Sequence, residues 1–200
     1  MKSKIKLIIL DAYGVTLTGG FPHTCKFIAK KFNRDYSEIY KVIYKKYFNQ
    51  AAERKITQQA AWEKAIKELN LPITVKEIKK IHYGLMGLNM PVINFSKKIN
   101  HEVKILLLSK NTRSQMREID EAISFKKYFK NIINTWELKL PKASKNTIFY
   151  IAKKFNIKPK EMLFIDDQLE NLIEAGKLCV KTIIYKNFEQ FKKEVSNYLN

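Results

Sequence analysis

The stretch Lys6-Leu7-Ile8-Ile9-Leu10-Asp11-Ala12-Tyr13-Gly14-Val15 runs apolar up to a carboxylate and then turns through a glycine. A short β-branched and leucine-rich run bounded by a turn residue predicts a strand buried on both faces of a parallel sheet. Asp11 then stands at the strand's C-terminal end. In open α/β sheets the ligand crevice lies just beyond the carboxyl ends of the strands, so an ionisable side chain placed there faces a site. Taken alone, such an Asp suits the start of a turn equally well.

Later stretches break the tie. Val103-Lys104-Ile105-Leu106-Leu107-Leu108 reads as a second buried strand that ends at Ser109-Lys110-Asn111-Thr112, and Glu161-Met162-Leu163-Phe164-Ile165 as another that ends at Asp166-Asp167. Between them lies Leu140-Pro141-Lys142-Ala143-Ser144. Carboxylate, hydroxyl, lysine and paired carboxylates thus follow in that order, and the order resembles the four motifs of the haloacid dehalogenase-like (HAD) hydrolase superfamily. The resemblance covers almost the whole chain. It is most specific at Ile148-Phe149, from Phe155 to Asp167, and at Glu170-Asn171.

The intervening pattern agrees with such a fold. Ile132-Ile133 reads as a short strand and Thr182-Ile183-Ile184-Tyr185 as the closing one, with amphipathic helices between strands, which predicts an α/β doubly wound parallel sheet. From Thr18 to Met90 the pattern is helical. Asp35 with Glu38, Thr57, and Thr74 with Glu77 are helix starts, and Thr112 with Gln115 starts a later one. These helices have no strands among them, so the reading is a Rossmann-like core over residues 1–17 and 91–200 with a small α-helical cap domain inserted over 18–90. In the resembled family a cap at this place is of that kind.

The chain of 200 residues, 46% hydrophobic and 12% aromatic, is large enough for a core with a small inserted cap. No run reaches membrane-spanning length. The N-terminus carries Lys2 and Lys4 and enters the first strand at once, without a cleavable apolar segment, so the expected location is cytoplasmic. Cys25 and Cys179 have no metal or redox spacing and are expected to be reduced and structural. His23, His82 and His101 show no ligand or triad spacing and read as surface or packing residues, and Trp62 and Trp136 as core. The formal charge of +19 raises the question of nucleic acid. The lysines are spread from end to end, however, without an aromatic RNA-stacking signature, zinc pattern or basic tail, so no specific nucleic-acid partner is expected. The expected partner is a small anionic, phosphorylated substrate, and the expected assembly a monomer or homodimer.

The resemblance assigns the chemistry residue by residue. It implies that Asp11 is the nucleophile and forms an aspartyl-phosphate, that Ser109 binds the phosphoryl group with help from Lys110 and Asn111, and that Lys142 neutralises it. Asp11, the backbone carbonyl of Tyr13, Asp166 and Asp167 are the implied ligands of Mg²⁺, an all-oxygen set that suits this ion. Asp167 ranks above Asp166 as direct ligand, because successive residues at a strand end cannot both point at one spot. Lys139 and Lys145 compete with Lys142.

Tyr13 departs from the pattern. Most phosphatases of the superfamily carry a second Asp there as general acid and base, and a phenol of ordinary pKa near ~10 cannot act as base near neutrality. Asp-Ala-Tyr-Gly instead resembles the metal-independent 2-haloacid dehalogenase branch, whereas Asp166-Asp167 is phosphatase-like. The leading expectation is a Mg²⁺-dependent phosphatase. The alternatives are a haloacid dehalogenase and a catalytically weakened binding or regulatory protein.

Overall fold

The computed structural model describes residues 4–199, so Lys2 lies outside the described part. Along the chain come strand β1 (Leu7–Asp11), the two-residue strand β2 (Leu17–Thr18), helices α1 (Gly20–Lys31) and α2 (Tyr36–Tyr40), a π-helical segment (Lys41–Phe48), and helices α3 (Asn49–Ala52), α4 (Gln58–Glu68) and α5 (Val75–Gly84). Strand β3 (Gly87–Leu88), helix α6 (Met90–Ile99), strand β4 (Lys104–Ser109), helix α7 (Arg113–Ile123), strand β5 (Ile132–Asn134) and helices α8 (Thr135–Leu138) and α9 (Lys145–Phe155) follow. Strand β6 (Met162–Asp166), helix α10 (Leu169–Lys177), strand β7 (Lys181–Ile184) and helix α11 (Phe188–Leu199) complete the order. By their contacts these form two compact units. One holds the chain up to Thr18, Leu88–Lys110 and the part from Phe125 onward, and the other holds Gly19–Gly87 with Asn111–Ser124.

The first unit is an α/β core. Its five parallel strands run in the order β5-β4-β1-β6-β7, so β1 is central and hydrogen-bonded on both sides. That position explains its unbroken apolar run, since both faces need cover. Leu7, Ile9, Leu106, Leu108, Met162 and Phe164 pack with Ile148 and Ile151 of α9 and Leu172 and Ala175 of α10. Ile8 and Leu10, by the period of two, point to the opposite face. There, α6 and α11 meet through Phe95, Phe188 and Phe191. Register then aligns the strand ends. Asp11 is opposite Leu108 and Leu10 is opposite Ile165, which brings Asp11, Ser109 and Asp166 to one edge of the sheet.

The second unit is built mainly of helices and has its own core of Phe21, Ile28, Ile39, Ile43, Phe48, Trp62 and Ile78. The caps read from sequence form: Asp35 accepts from the Glu38 amide, Thr57 from Ala60, Thr112 from Gln115, and Thr74 with Glu77 makes a reciprocal box. α1 and the short strands carry no comparable mark in the sequence. The segment Lys41–Phe48 looks α-helical by periodicity but is wound as a π-helix. Helix α7 follows a core strand in sequence, yet it groups with the helical unit, where Thr112 donates to the Gln58 side chain and Lys79 pairs with Glu118.

His82 is fully buried in this unit, and burial pushes its pKa down to about 3, so the ring is neutral. The Thr24 hydroxyl donates to the Gly20 carbonyl and therefore accepts from His82 Nδ1–H at 2.8 Å. His23 and His101 are exposed. Trp62 is core, whereas Trp136 is only half-buried, because it sits in the single-turn helix α8. Both cysteines are free; Cys25 is buried and its thiol is pushed up to about 12 by burial, while Cys179 is exposed on a left-handed residue. Among the described residues no helix is long and apolar enough to cross a membrane.

Phe164 is the largest side chain in the central strands and is fully buried. Phe164→Ala should lower the unfolding free energy by about 3–5 kcal/mol, read as a fall in the urea midpoint without a change of slope.

Candidate active site

The strand ends gather three charged side chains that water barely reaches. Asp11 is 5% exposed, Lys142 6% and Asp166 0%. Lys142 Nζ lies 2.6 Å from Asp11 Oδ1 and 2.6 Å from Asp166 Oδ2, bridging the ends of β1 and β6. Ser109, 1% exposed, closes β4 beside them. Ligand oxygens of Asp11, Asp166 and Asp167 all lie within 4.8 Å of one another.

Local structure fixes each member. Lys142 sits between α8 and α9, where the Ser144 and Thr147 hydroxyls both donate to the Pro141 carbonyl, at 2.9 and 2.7 Å. Those two bonds hold the backbone just before the lysine. Lys139 and Lys145 are exposed instead. Asp166 has its second oxygen filled as well: Oδ1 accepts from the Gln168 amide at 2.9 Å and from Asn171 Nδ2 at 3.0 Å. Asp167, the next residue, turns away from that scaffold and is partly exposed. Gly14 makes room for it. A Cβ there would stand 2.1 Å from Asp167 Oδ2, and the φ of +82° is one that residues with a side chain rarely adopt.

The loop from Asp11 to Leu17 is braced from several sides. The Thr16 hydroxyl reaches the carbonyls of Asp11 and Ala12 at 3.0 and 2.9 Å, and the Gly14 amide donates to the Leu17 carbonyl. Asn89 donates to the Val15 carbonyl and to the Tyr185 hydroxyl, each at 2.8 Å, and its own amide donates to the Thr16 carbonyl. Tyr185 in turn donates its amide to the Asp166 carbonyl. Tyr13 is half-buried in this loop. Of the residues flanking Ser109, Lys110 belongs to the core unit, while Asn111 is buried in the helical one.

The electrostatics are those of an under-neutralised anionic pocket. Burial pushes the Asp11 carboxyl up to about 7, opposed by Lys142 and aided by Asp166 and Asp167. Burial, then the Asp166 charge, raises Asp167 to about 6. Burial works against the Lys142 ammonium, but Asp11 and Asp166 together outweigh it and hold its pKa above the ordinary value. Lys110 is lowered, first by burial and then by repulsion from Lys142. Three carboxylates against the buried Lys142 and the half-buried Lys110 leave negative charge over, and hard oxygen donors this close together fit a small divalent cation such as Mg²⁺.

The family model for haloacid dehalogenase-like hydrolases matches residues 5–179, the span that includes Asp11, Ser109, Lys142, Asp166 and Asp167. The chain belongs to the haloacid dehalogenase-like hydrolases. Human N-acylneuraminate-9-phosphatase is 25% identical over 123 residues, which are 58% of this chain and 50% of that protein, so the chain spans about half the length of this curated relative. A HAD family enzyme of Bacteroides thetaiotaomicron, crystallised with magnesium and inorganic phosphate, superposes with a TM-score of 0.71 at 19% identity, covering 91% of this chain and 94% of that one. L-2-haloacid dehalogenase from Xanthobacter autotrophicus, with chloropropionic acid covalently bound, gives 0.66 at 13% identity, over 96% and 83%. At these identities the two structures speak for the HAD fold.

Thr16, Asn89 and Tyr185 escaped the sequence reading of this HAD chain. Each is an isolated polar residue whose partners are backbone atoms or residues far along the chain, a relation that periodicity does not reveal.

The two neighbouring carboxylates should separate on substitution. Asp166→Asn removes a buried partner of Lys142 and should destabilise the fold by about 3–5 kcal/mol. Asp167→Asn should leave the metal-free protein as stable as wild type or more so, while removing divalent-cation binding. Thermal melts and calorimetric Mg²⁺ titration of both variants check this, and Gly14→Ala should resemble Asp167→Asn in the titration.

Proposed function

We propose that this hydrolase is a Mg²⁺-dependent phosphatase that cleaves a small phosphorylated metabolite through an aspartyl-phosphate on Asp11. The observation that carries the reading is the buried bridge of Lys142 between Asp11 and Asp166, with Asp167 free beside it. Lys142 occupies Asp11 Oδ1 and so leaves Oδ2 as the attacking oxygen. Ser109 and the backbone amide of Lys110 are the donors to the phosphoryl oxygens, and Lys142 neutralises charge as the ester forms. Asp11, Asp167 and the Tyr13 carbonyl hold the cation, and Asp166 orients Lys142 from its filled hydrogen-bond set. When bound, Mg²⁺ supplies positive charge that lets a phosphate approach a carboxylate. The helical unit is the cap, and a cytoplasmic location, in which the two free cysteines stay reduced, completes the reading. Asp11→Asn should lower turnover by roughly three orders of magnitude or more on the best substrate in a phosphate-ester panel.

The cation can be checked without activity. Asp11 and Asp167 have folded-state pKa values of about 7 and about 6 against an ordinary 3.8. Raised carboxyls stabilise the fold fully below their unfolded value, and that contribution is lost as the pH climbs through the folded one. Metal-free protein should therefore lose stability between about pH 4 and pH 7. Mg²⁺ should raise the melting temperature by several degrees at pH 8 and hardly at all at pH 5. Equal increments at both pH values would remove the cation from these carboxylates.

Tyr13 favours a second reading, a metal-independent haloacid dehalogenase in which Asp11 displaces halide. Turnover of 2-haloacids that survives a chelator would put it first, and inertness of a folded protein to both substrate classes would leave a binding role. If the phosphatase reading holds, leaving groups must depart without a carboxylic acid at position 13. Activated aryl phosphates should then be hydrolysed far better than alkyl phosphates, and Tyr13→Asp should narrow the gap, since general acid catalysis contributes roughly 10²–10⁴-fold where it is needed. An unchanged ratio in a folded variant would show that Tyr13 shapes the pocket and does not stand in the acid's place.

A further inference from the structure

Asn89 breaks a local rule. It stands at the N-cap of α6, where an asparagine ordinarily turns its side-chain oxygen back to an amide of the first turn, yet it makes no such bond. Its side-chain nitrogen points instead to the loop after Asp11 and to the residue that follows β7, donating one proton to the Val15 carbonyl and the other to the Tyr185 hydroxyl, each at 2.8 Å. A carbonyl only accepts, so the nitrogen and not the oxygen must face Val15. An aspartate in this place would have nothing to donate, and an alanine nothing to reach with. The helix forgoes its side-chain cap, and the two bonds go elsewhere.

The sheet register shows what those bonds connect. β1 and β6 are paired from Leu7 with Met162 to Leu10 with Ile165, and among the described residues the ladder goes no further. Past that pair each strand keeps only its other neighbour: Asp11 is opposite Leu108 of β4, and Asp166 opposite Ile184 of β7. The carboxylates thus stand where the ladder between their own strands stops. Beyond it, alongside the Lys142 ammonium, a chain of uncharged hydrogen bonds crosses from one side to the other. The Thr16 hydroxyl donates to the Asp11 carbonyl at 3.0 Å, the Asn89 amide to the Thr16 carbonyl at 2.9 Å, the Asn89 side chain to the Tyr185 hydroxyl, and the Tyr185 amide to the Asp166 carbonyl at 2.9 Å. All five residues belong to the core unit, and Asn89 is the middle link. A lysine on a flexible four-carbon stem follows the carboxylates it pairs with. A chain anchored in the backbone at both ends can instead set where they stand.

We propose that Asn89 and Tyr185 are positioning residues: they form a cross-tie that fixes how Asp11 stands to Asp166 and Asp167, and thereby sets the affinity of the site for a divalent cation. The second half rests on the cation reading of the proposed function; the first half does not. Two measurements on the same variants keep them apart, calorimetric Mg²⁺ titration and amide hydrogen exchange of the metal-free protein. Asn89→Ala should weaken Mg²⁺ binding about tenfold, as loss of a residue that orients metal ligands does, with a melting temperature close to wild type. Tyr185→Phe keeps the ring that packs 6.0 Å from Phe191 and removes only the hydroxyl, so it should weaken binding in the same direction even where Asn89→Ala folds poorly. Because the two residues act through one bond, the double variant should bind no worse than the weaker single one. In metal-free Asn89→Ala the Gly14 and Leu17 amides, which donate to Leu17 and Ala12 within the loop, should exchange about tenfold faster, and the amides of β1 at their wild-type rate. Wild-type affinity in both single variants, or additive losses in the double one, would overturn the proposal. Unchanged exchange at Gly14 and Leu17 would overturn it as well. Wild-type protein that binds no Mg²⁺ would remove the cation reading instead, and the exchange rates would then decide the cross-tie.

Discussion

One buried ammonium holds the reactive end of the sheet together. Lys142 spans two carboxylates at 2.6 Å each, from strands that are already neighbours. Removing such charges from water is costly, and the mutual attraction offsets that only when geometry is good and the remaining lone pairs are satisfied. Asp166 meets the condition, with both of its oxygens engaged, by Lys142 on one and by Gln168 and Asn171 on the other. At Asp11, Lys142 engages Oδ1, and burial, which the ammonium only partly opposes, carries the pKa toward neutrality. The arrangement is therefore a fully braced carboxylate on one side and a carboxyl of strongly raised pKa on the other. On the phosphatase reading, stability and reactivity are divided between two residues of the same type.

The loop that follows Asp11 shows the same economy. Its shape comes from backbone hydrogen bonds braced by three polar side chains, Thr16, Asn89 and Tyr185, none of which carries charge at neutral pH. Uncharged braces fix the loop without adding to the field at the carboxylates. Gly14 then lets the Asp167 carboxylate come close to the backbone of this loop, which a β-carbon would forbid. The position of one carboxylate thus depends on the absence of a side chain on a strand-end turn.

These dependencies decide what could be read from the chain alone. The central strand was legible because an apolar run of that length, ending in Asp and Gly, has few other uses. The caps at Asp35, Thr57, Thr74 and Thr112 were legible because capping is local, acting over three residues. Lys142 could be ranked but not chosen over Lys139 and Lys145, since nothing local separates a buried lysine from exposed ones in so basic a chain. The π-helical winding of Lys41–Phe48 and the grouping of α7 with the helical unit depend on packing partners far away in sequence, and periodicity holds no trace of either. Cys179 and Trp136 show the converse: residue type suggested burial, and the turns on which they sit place them at or near the surface.

The charge of the chain and the charge of the site oppose each other. A formal +19 draws anions toward the molecule from every side, while three clustered carboxylates turn them away at the last few ångströms. Long-range attraction is screened within about 8–10 Å at ordinary ionic strength, so it affects encounter and not the final contact. At contact range the local imbalance decides, and without a cation it is repulsive to phosphate. On the phosphatase reading, general attraction supplies the encounter rate, and a divalent ion supplies the gate that distinguishes a bound phosphate from any passing anion. A 2-haloacid, itself a carboxylate, would meet the same repulsion, and a metal-independent displacement brings no cation to relieve it, so the oxygen cluster weighs toward the phosphatase reading.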